Sequence, residues 1–405
     1  MPVIFFIVLC SMLLLTACGG SSSGDANSSP LPDPLAAPDN LEADAGNGQV
    51  ELTWGLVEDA NSYTLYYSVT ADIDINNPGS SDGNWDMVPD VEPPHILDGL
   101  DNGTPYYFVV TATDDGRESM ASNEVSSTPL AGVTGYSIQT QDVTVDAQEN
   151  LYDYQWCGDN QIAVGGGYRP ANAEASNTPL SIRHQGPTYS TSTLTGGWTG
   201  GLYNGNSTGS ISVKRHMVCI DPPASHERIG PFRNSYPLQG QHETYTTTCP
   251  DELVLLVGGD RPGINDYGNL LTIHSRPTEQ NSQWQTALLH QGGTTESTLT
   301  WGEAHCAAPV RGLSTQSSYQ FRPEQQIPPG SHGERTLACG DGQHVLHGGP
   351  YAPSADLALP ADVRLQRSYP DTNAEGQSIW RIRLFNGTDH PVPIGIFAVC
   401  AASDD

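Results

Sequence analysis

The sequence predicts an all-β chain: a β-sandwich segment followed by three disulfide-closed β repeats. Three observations lead there. No stretch of 12 or more residues after the N-terminus carries clean helical periodicity. Gly (43) and Pro (31) punctuate short alternating runs rich in Thr, Ser, Tyr and Val, the composition of turn-rich sheet. Six cysteines, Cys157 to Cys400, fall into three pairs of similar internal spacing. A chain of 405 residues is long enough for two or three domains with their own cores.

The chain opens on an apolar run, Val3 to Leu15, too short to span a bilayer as a helix. Residues 1–17 read as a signal peptide. Leu15-Thr16-Ala17-Cys18 follows, and it resembles the lipobox of bacterial lipoproteins. The resemblance implies that Cys18 takes lipid and that the membrane is reached through it. An ordinary signal peptide with a chance cysteine is the other reading, and no Lys or Arg precedes the run, where that family carries positive charge. Gly19 and Gly20 stand where Asp would mark inner-membrane retention, so the resemblance points to the outer membrane of a Gram-negative envelope. Residues 18–37, rich in Ser, Gly, Pro and Asp, have little to bury and read as a flexible tether.

The net charge is −30, and Lys214 is the only lysine beside fifteen arginines. Such a surface repels phosphate backbones, which argues against nucleic acid as a partner. It stays soluble at high salt, where screening removes self-repulsion, so a marine or halophilic source is expected.

Residues 38–129 form the sandwich segment. Val50, Leu52 and Trp54 alternate, as do Tyr63, Leu65 and Tyr67, so each set occupies one sheet face. Leu100-Asp101-Asn102-Gly103-Thr104-Pro105-Tyr106 then leads into Phe108, Val110 and Ala112. This pattern resembles the fibronectin type III domain, which implies that Tyr106 is its tyrosine corner and Trp54 its core tryptophan. Asp72, Asp74 and Asn76 alternate like the start of a calcium loop. Asn77 and Gly83, however, sit where such a loop needs Gly and a bidentate acid, so an acidic inter-strand loop is expected and no metal.

Three repeats fill 133–221, 222–309 and 310–403. Each opens with C-x8-G-G: Cys157 leads to Gly166-Gly167, Cys249 to Gly258-Gly259, Cys339 to Gly348-Gly349. An alternating strand follows (Leu180 and Ile182, Leu271 and Ile273, Val363 and Leu365), closed by Pro187, Pro277 or Pro370. Then comes a Trp with a Leu four residues on: Trp198 and Leu202, Trp284 and Leu288, Trp380 and Leu384. A last strand reaches Cys219, Cys306 or Cys400, so the repeat pairs Cys157–Cys219, Cys249–Cys306 and Cys339–Cys400, first strand to last, in an oxidising compartment. The Cys and Gly framework is similar to Cys-Pro-x-Gly modules of secreted, tail-tip and pilus-tip bacterial proteins. It is also similar to the threefold β-prism of vitelline membrane outer-layer proteins. Three equal units allow a closed pseudo-threefold β-prism-like body or three β units in tandem.

The candidate ligand-binding residues are Trp198, Trp284 and Trp380, which are either core or sugar platforms, and Asn204, His290 and Asn386, six residues beyond each. Tyr203 adds a further aromatic. The glycine pairs suggest a bulge or a close backbone approach rather than a phosphate loop, which would need a following helix. His344 and His347, three apart on a strand, are expected on opposite faces. No nucleophile elbow, zinc motif or P-loop is present, and no unit visibly breaks the triplication. No catalysis, cofactor or metal is therefore expected. The leading expectation is a lipid-anchored binding or adhesion protein recognising an extracellular polymer, most plausibly glycan. An envelope assembly protein and a hydrolase with an unrecognised site are the alternatives.

Overall fold

A computed structural model describes residues 34–76, 85–172, 179–189, 196–235, 242–262, 270–278, 282–290, 299–319, 322, 325–351 and 362–405. Every regular element among them is a strand.

The first body is a two-sheet sandwich. β1 (Glu42–Ala45), β2 (Gln49–Thr53) and β5 (His95–Asp98) form one sheet. β3 (Ser62–Ser68), β4 (Asp86–Val91), β6 (Tyr106–Asp114), β7 (Arg117–Glu118) and β8 (Val125–Ser127) form the other. The alternation read above fills the space between them: Val50, Leu52, Leu65, Phe108 and Val110 are sealed from solvent. Trp54 meets Tyr63 edge-on at 5.5 Å between ring centroids. The Tyr106 hydroxyl accepts a hydrogen bond from the Asp101 backbone N–H at 3.2 Å, the corner that the Gly-Thr turn implied. The acidic loop is braced by its own chain: the Glu124 carboxylate accepts from the Asp72 and Ile73 N–H groups, and Asp74 accepts from Asn76. Asn77 and Gly83 lie outside the described residues.

Three six-stranded units follow. The first holds β9 (Ser137–Val145), β10 (Asn150–Trp156), β11 (Ile162–Pro170), β12 (Leu180–Tyr189), β13 (Gly196–Asn204) and β14 (Ile211–Ile220). The second holds β15 (Glu227–Ser235), β16 (His242–Thr248), β17 (Val254–Pro262), β18 (Leu270–Pro277), β19 (Gln283–His290) and β20 (Leu299–Ala307). The third holds β21 (Ser314–Tyr319), β22 (His332–Ala338), β23 (Gln343–Pro350), β24 (Val363–Thr372), β25 (Ser378–Asn386) and β26 (Gly395–Ala402). In each, the first, sixth and third strands make one antiparallel sheet, and the second, fifth and fourth make another. The three expected disulfides close, with Cα separations of 5.9, 5.8 and 5.7 Å. Their first cysteine follows the second strand, not the first, so each bridge ties one sheet of a unit to the other.

Each glycine pair lies inside the third strand, directly after a bulge, and not behind a strand. A Cβ on Gly166, Gly258 or Gly348 would enter the indole of its own unit's tryptophan. A Cβ on Gly167 would strike the Ser368 carbonyl of the third unit. Pro187 and Pro370 sit within β12 and β24 rather than closing them, each opposite its tryptophan; Pro277 does end β18. β18 is the outer strand of its sheet, while β12 meets β24 and β24 meets β11 only at the single pairs Ile182–Leu365 and Tyr168–Ser368, so at the prolines a missing N–H costs no ladder bond.

That fourth strand packs on the third strand of the next unit in a cycle: β12 on β17, β18 on β23, β24 on β11. The units close into one pseudo-threefold ring. An arginine lies over a tyrosine ring at each seam: Arg228 on Tyr189 at 4.6 Å, Arg276 on Tyr351 at 5.0 Å, Arg169 on Tyr369 at 5.4 Å. The ends of the ring meet where Val133 bridges Ser403 and the Asp404 carboxylate accepts the Gly132 N–H at 2.7 Å.

Candidate functional site

The candidates read from the repeats are structural. Trp198, Trp284 and Trp380 are 0%, 2% and 0% exposed, so none is a platform for sugar. They pack over glycines inside the ring, and the indole N–H of Trp284 and of Trp380 donates to Ser275 (2.9 Å) and Ser368 (3.1 Å). Asn204 and Asn386 are clamps rather than ligand contacts. The Asn204 amide donates to the Val145 and Gly209 carbonyls at 3.0 and 3.1 Å and accepts from the Asn206 N–H. Asn386 repeats this with Ile327, His390 and Thr388. Tyr203 lies under the Arg183 guanidinium. The His290 side chain and Cys18 lie outside the described residues.

His344 and His347 share a face, because the bulge between Val345 and His347 adds one residue to the count; they pair with Ala401 and Val399. His347 stands at the ring's centre, its centroid 5.1 Å from Trp198 and 5.3 Å from both Trp284 and Trp380. Counting from the cysteines, Gly165 and Val257 hold this position in the other units. The triplication is thus broken here, contrary to expectation. Beside it a cavity of about 30 Å³ is lined by His184, Gln185, Ser275 and His347. Both ring nitrogens of His184, Nδ1 of His347 and Oε1 of Gln185 have no protein partner. Burial holds both imidazoles neutral, pushed down to about 3. The space suits a water-sized guest only.

A second break lies at the seam of the first and second units. His226 Nε2 is 2.9 Å from His305 Nδ1, and Glu303 lies 3.6 Å from both His305 and Arg228. Burial, then the neighbouring His305, lowers His226 to about 4. Glu303 and His305 are sealed from solvent, which suits a polar seam better than a site meeting substrate.

The surface feature that sequence reading missed is an aromatic row on β10. Tyr152, Tyr154 and Trp156 alternate, so all three leave the strand on one side. Tyr154 is 56% exposed and Trp156 36%. Their centroids are 6.4 and 6.0 Å apart along the row. The facing residues of β13 are Gly201, Thr199 and Gly197, small enough for the rings to spread over them. β10 is the outermost strand of its sheet. The other side of the strand is anchored by buried Arg215 from β14. It donates to Gln155 at 2.7 Å, to Asp153 at 2.5 Å and to the Tyr154 carbonyl at 3.0 Å. The row is linear and rigidly backed, half-buried at Tyr152, which stacks on His184, and exposed at Tyr154 and Trp156. Its signal was in the sequence as the alternation in Tyr152-Asp153-Tyr154-Gln155-Trp156.

No family model matches the chain. Over 163 residues, 39% of this chain, it is 30% identical to an amylopullulanase of Thermoanaerobacter thermohydrosulfuricus. It spans about a tenth of that curated relative's length. Among solved structures it is similar to a fibronectin type III-like protein from Clostridium thermocellum (28% identity, 23% of this chain, 92% of that one, TM-score 0.19). It is also similar to the FN1–FN3 domains of chicken CNTN1 (11% identity, 68% of this chain, 95% of that one, TM-score 0.18). The fold class rests on the chain's own geometry: a fibronectin type III-like sandwich with its tyrosine corner, then three disulfide-closed β units.

Proposed function

We propose that this chain is a non-catalytic glycan-binding protein of the cell envelope, carried on lipid at Cys18 and spaced from the membrane by its fibronectin type III-like domain. The observation that carries the reading is the aromatic row of β10, where exposed Tyr154 and Trp156 continue the line of half-buried Tyr152 on an outer strand. A row of ring faces suits the apolar faces of successive sugars in a chain, and the open edge of β10 offers backbone groups to their hydroxyls. Two further facts support it. The partial relative bears the name of a polysaccharide-cleaving enzyme, and three disulfides suit an exported protein. Outer-membrane placement is part of the proposal and follows from the residues after Cys18.

The test is affinity electrophoresis of the chain without its lipid through gels containing neutral polysaccharides, beside a Tyr154→Ala, Trp156→Ala variant. Retardation of the native chain and free migration of the folded variant is the expected pair of results. Equal migration of the two in every gel would remove the row from the reading.

A further inference from the structure

The third unit carries a different surface on the equivalent sheet. On β25, Trp380, Ile382 and Leu384 point inward, so Arg381, Arg383 and Phe385 take the other side. Their partners on β24 are Tyr369, Arg367 and Arg364, and on β22 Thr336, Glu334 and His332. The face continues over the seam to the first unit, where Arg169 lies on the Tyr369 ring and hydrogen-bonds His216. Five guanidiniums therefore stand together, in a chain of net charge −30 with sixteen Lys and Arg in all.

Among the described residues, the carboxylates on this face do not balance them. Glu334 is shared between Arg367 (3.4 Å) and Arg383 (3.2 Å), and Asp371 pairs with Arg381 (2.7 Å). Arg364 and Arg169 rest on the rings of Phe385 and Tyr369, which hold the guanidinium planes in place while leaving their charge for another partner. Crowding shows in Arg383, which burial and then the neighbouring Arg367 draw below the ordinary guanidinium value. Between the side chains of Glu334, Arg335, Arg367, Tyr369, Asp371 and Arg381 runs a groove of about 160 Å³.

We propose that this face of β22, β25 and β24, extended by Arg169, binds the carboxylate or sulfate groups of an acidic polysaccharide. The planar donors match such oxyanions two bonds at a time, which a lysine surface could not do. The net negative charge opposes approach from a distance, but screening confines that repulsion to roughly 8 Å at physiological salt. The local excess of cations then decides the contact. The nature of the polymer rests on the glycan reading above; its charge rests on this face alone.

Calorimetry on the chain without lipid, with dextran sulfate, polygalacturonate, neutral dextran and inorganic polyphosphate, tests it. The variant Arg364→Gln, Arg381→Gln removes two partly exposed cations and leaves the buried pairs, so it folds; a circular dichroism melt checks this. The expected results are binding of the acidic glycans, a loss of about tenfold or more in that variant, and tighter binding in Glu334→Gln, which removes a carboxylate from the face. Polyphosphate bound as well as the glycans would overturn the assignment to polysaccharide. Absence of binding to any polyanion, or a double variant that binds like the native chain, would overturn the site. Neutral dextran bound through Tyr154 and Trp156 without the acidic polymers would leave the glycan reading standing and this one fallen.

Discussion

The first and third units place the same strands in the same order, yet the sheet faces turned away from their tryptophans are opposites. In the first, bulk stands on the second strand (Tyr152, Tyr154, Trp156) and small residues on the fifth (Gly201, Thr199, Gly197). In the third, the second strand carries Glu334, Thr336 and Ala338, and the fifth carries Arg383, Arg381 and Ile379. Toward the interior the two agree: Trp198 with Trp380, Leu202 with Leu384, Asn204 with Asn386, all buried. Ring packing constrains one side of these strands, and the other side is left for surface chemistry. One unit presents rings, the other presents charge.

The comparison can be broken at several strengths. The largest effect belongs to the shared interior: Trp198→Ala and Trp380→Ala should each cost about 3–5 kcal/mol in urea unfolding. A cost under about 1 kcal/mol at either site would mean that the interior sides are not equivalent. Next is a pH effect from the ring's centre. His184 and His347 stay neutral in the fold, held down to about 3 against an ordinary 6.5, while the unfolded chain protonates near 6.5. The fold therefore binds fewer protons in that window, and stability falls as pH drops below about 6.5, levelling only near 3. Each imidazole contributes a slope of about 1.4 kcal/mol per pH unit. His347→Leu should remove one such slope between pH 4 and 6 when its unfolding is measured against the native chain, and an unchanged slope would mean that His347 is not sealed.

Smaller effects follow. Asn204→Ala and Asn386→Ala should each cost about 1–3 kcal/mol, since each strands buried backbone carbonyls; unequal costs would show that the clamp matters in one unit more than the other. Smallest of all, Tyr154→Ala with Trp156→Ala should change stability by about 0.5 kcal/mol or less per site while abolishing retardation in polysaccharide gels. A large destabilisation would make the row part of the core.

Much of the fold was legible because its signals are local or repeated. The turn before Tyr106 announces the corner, and three copies of C-x8-G-G with Trp and Leu behind them pair the cysteines. The candidate site was not. Tryptophan and asparagine at fixed places in every unit are what a shared interior demands, so looking for function in the common positions led inward to Trp198 and Asn204. The surfaces that differ lie where the repeats disagree. His347 escaped for another reason: an alternation count has no way to see a bulge, and the extra residue reverses the side on which His347 falls. Ring closure depends on seams such as Arg228 on Tyr189 that join distant residues and leave no periodic trace.

The meeting of the ring's two ends has a mechanical side. A pull between the sandwich and the ring enters the ring through residues 131–133, and these are hydrogen-bonded at once to Arg311, Ala402 and Asp404. Load is thereby divided between the first and last units from the start, and no unit can be peeled away ahead of the others. Behind that latch, the bridged loops span 62, 57 and 61 residues and cannot lengthen while their disulfides hold. Under tension the ring should behave as a short, stiff link, with compliance left to the sandwich before it.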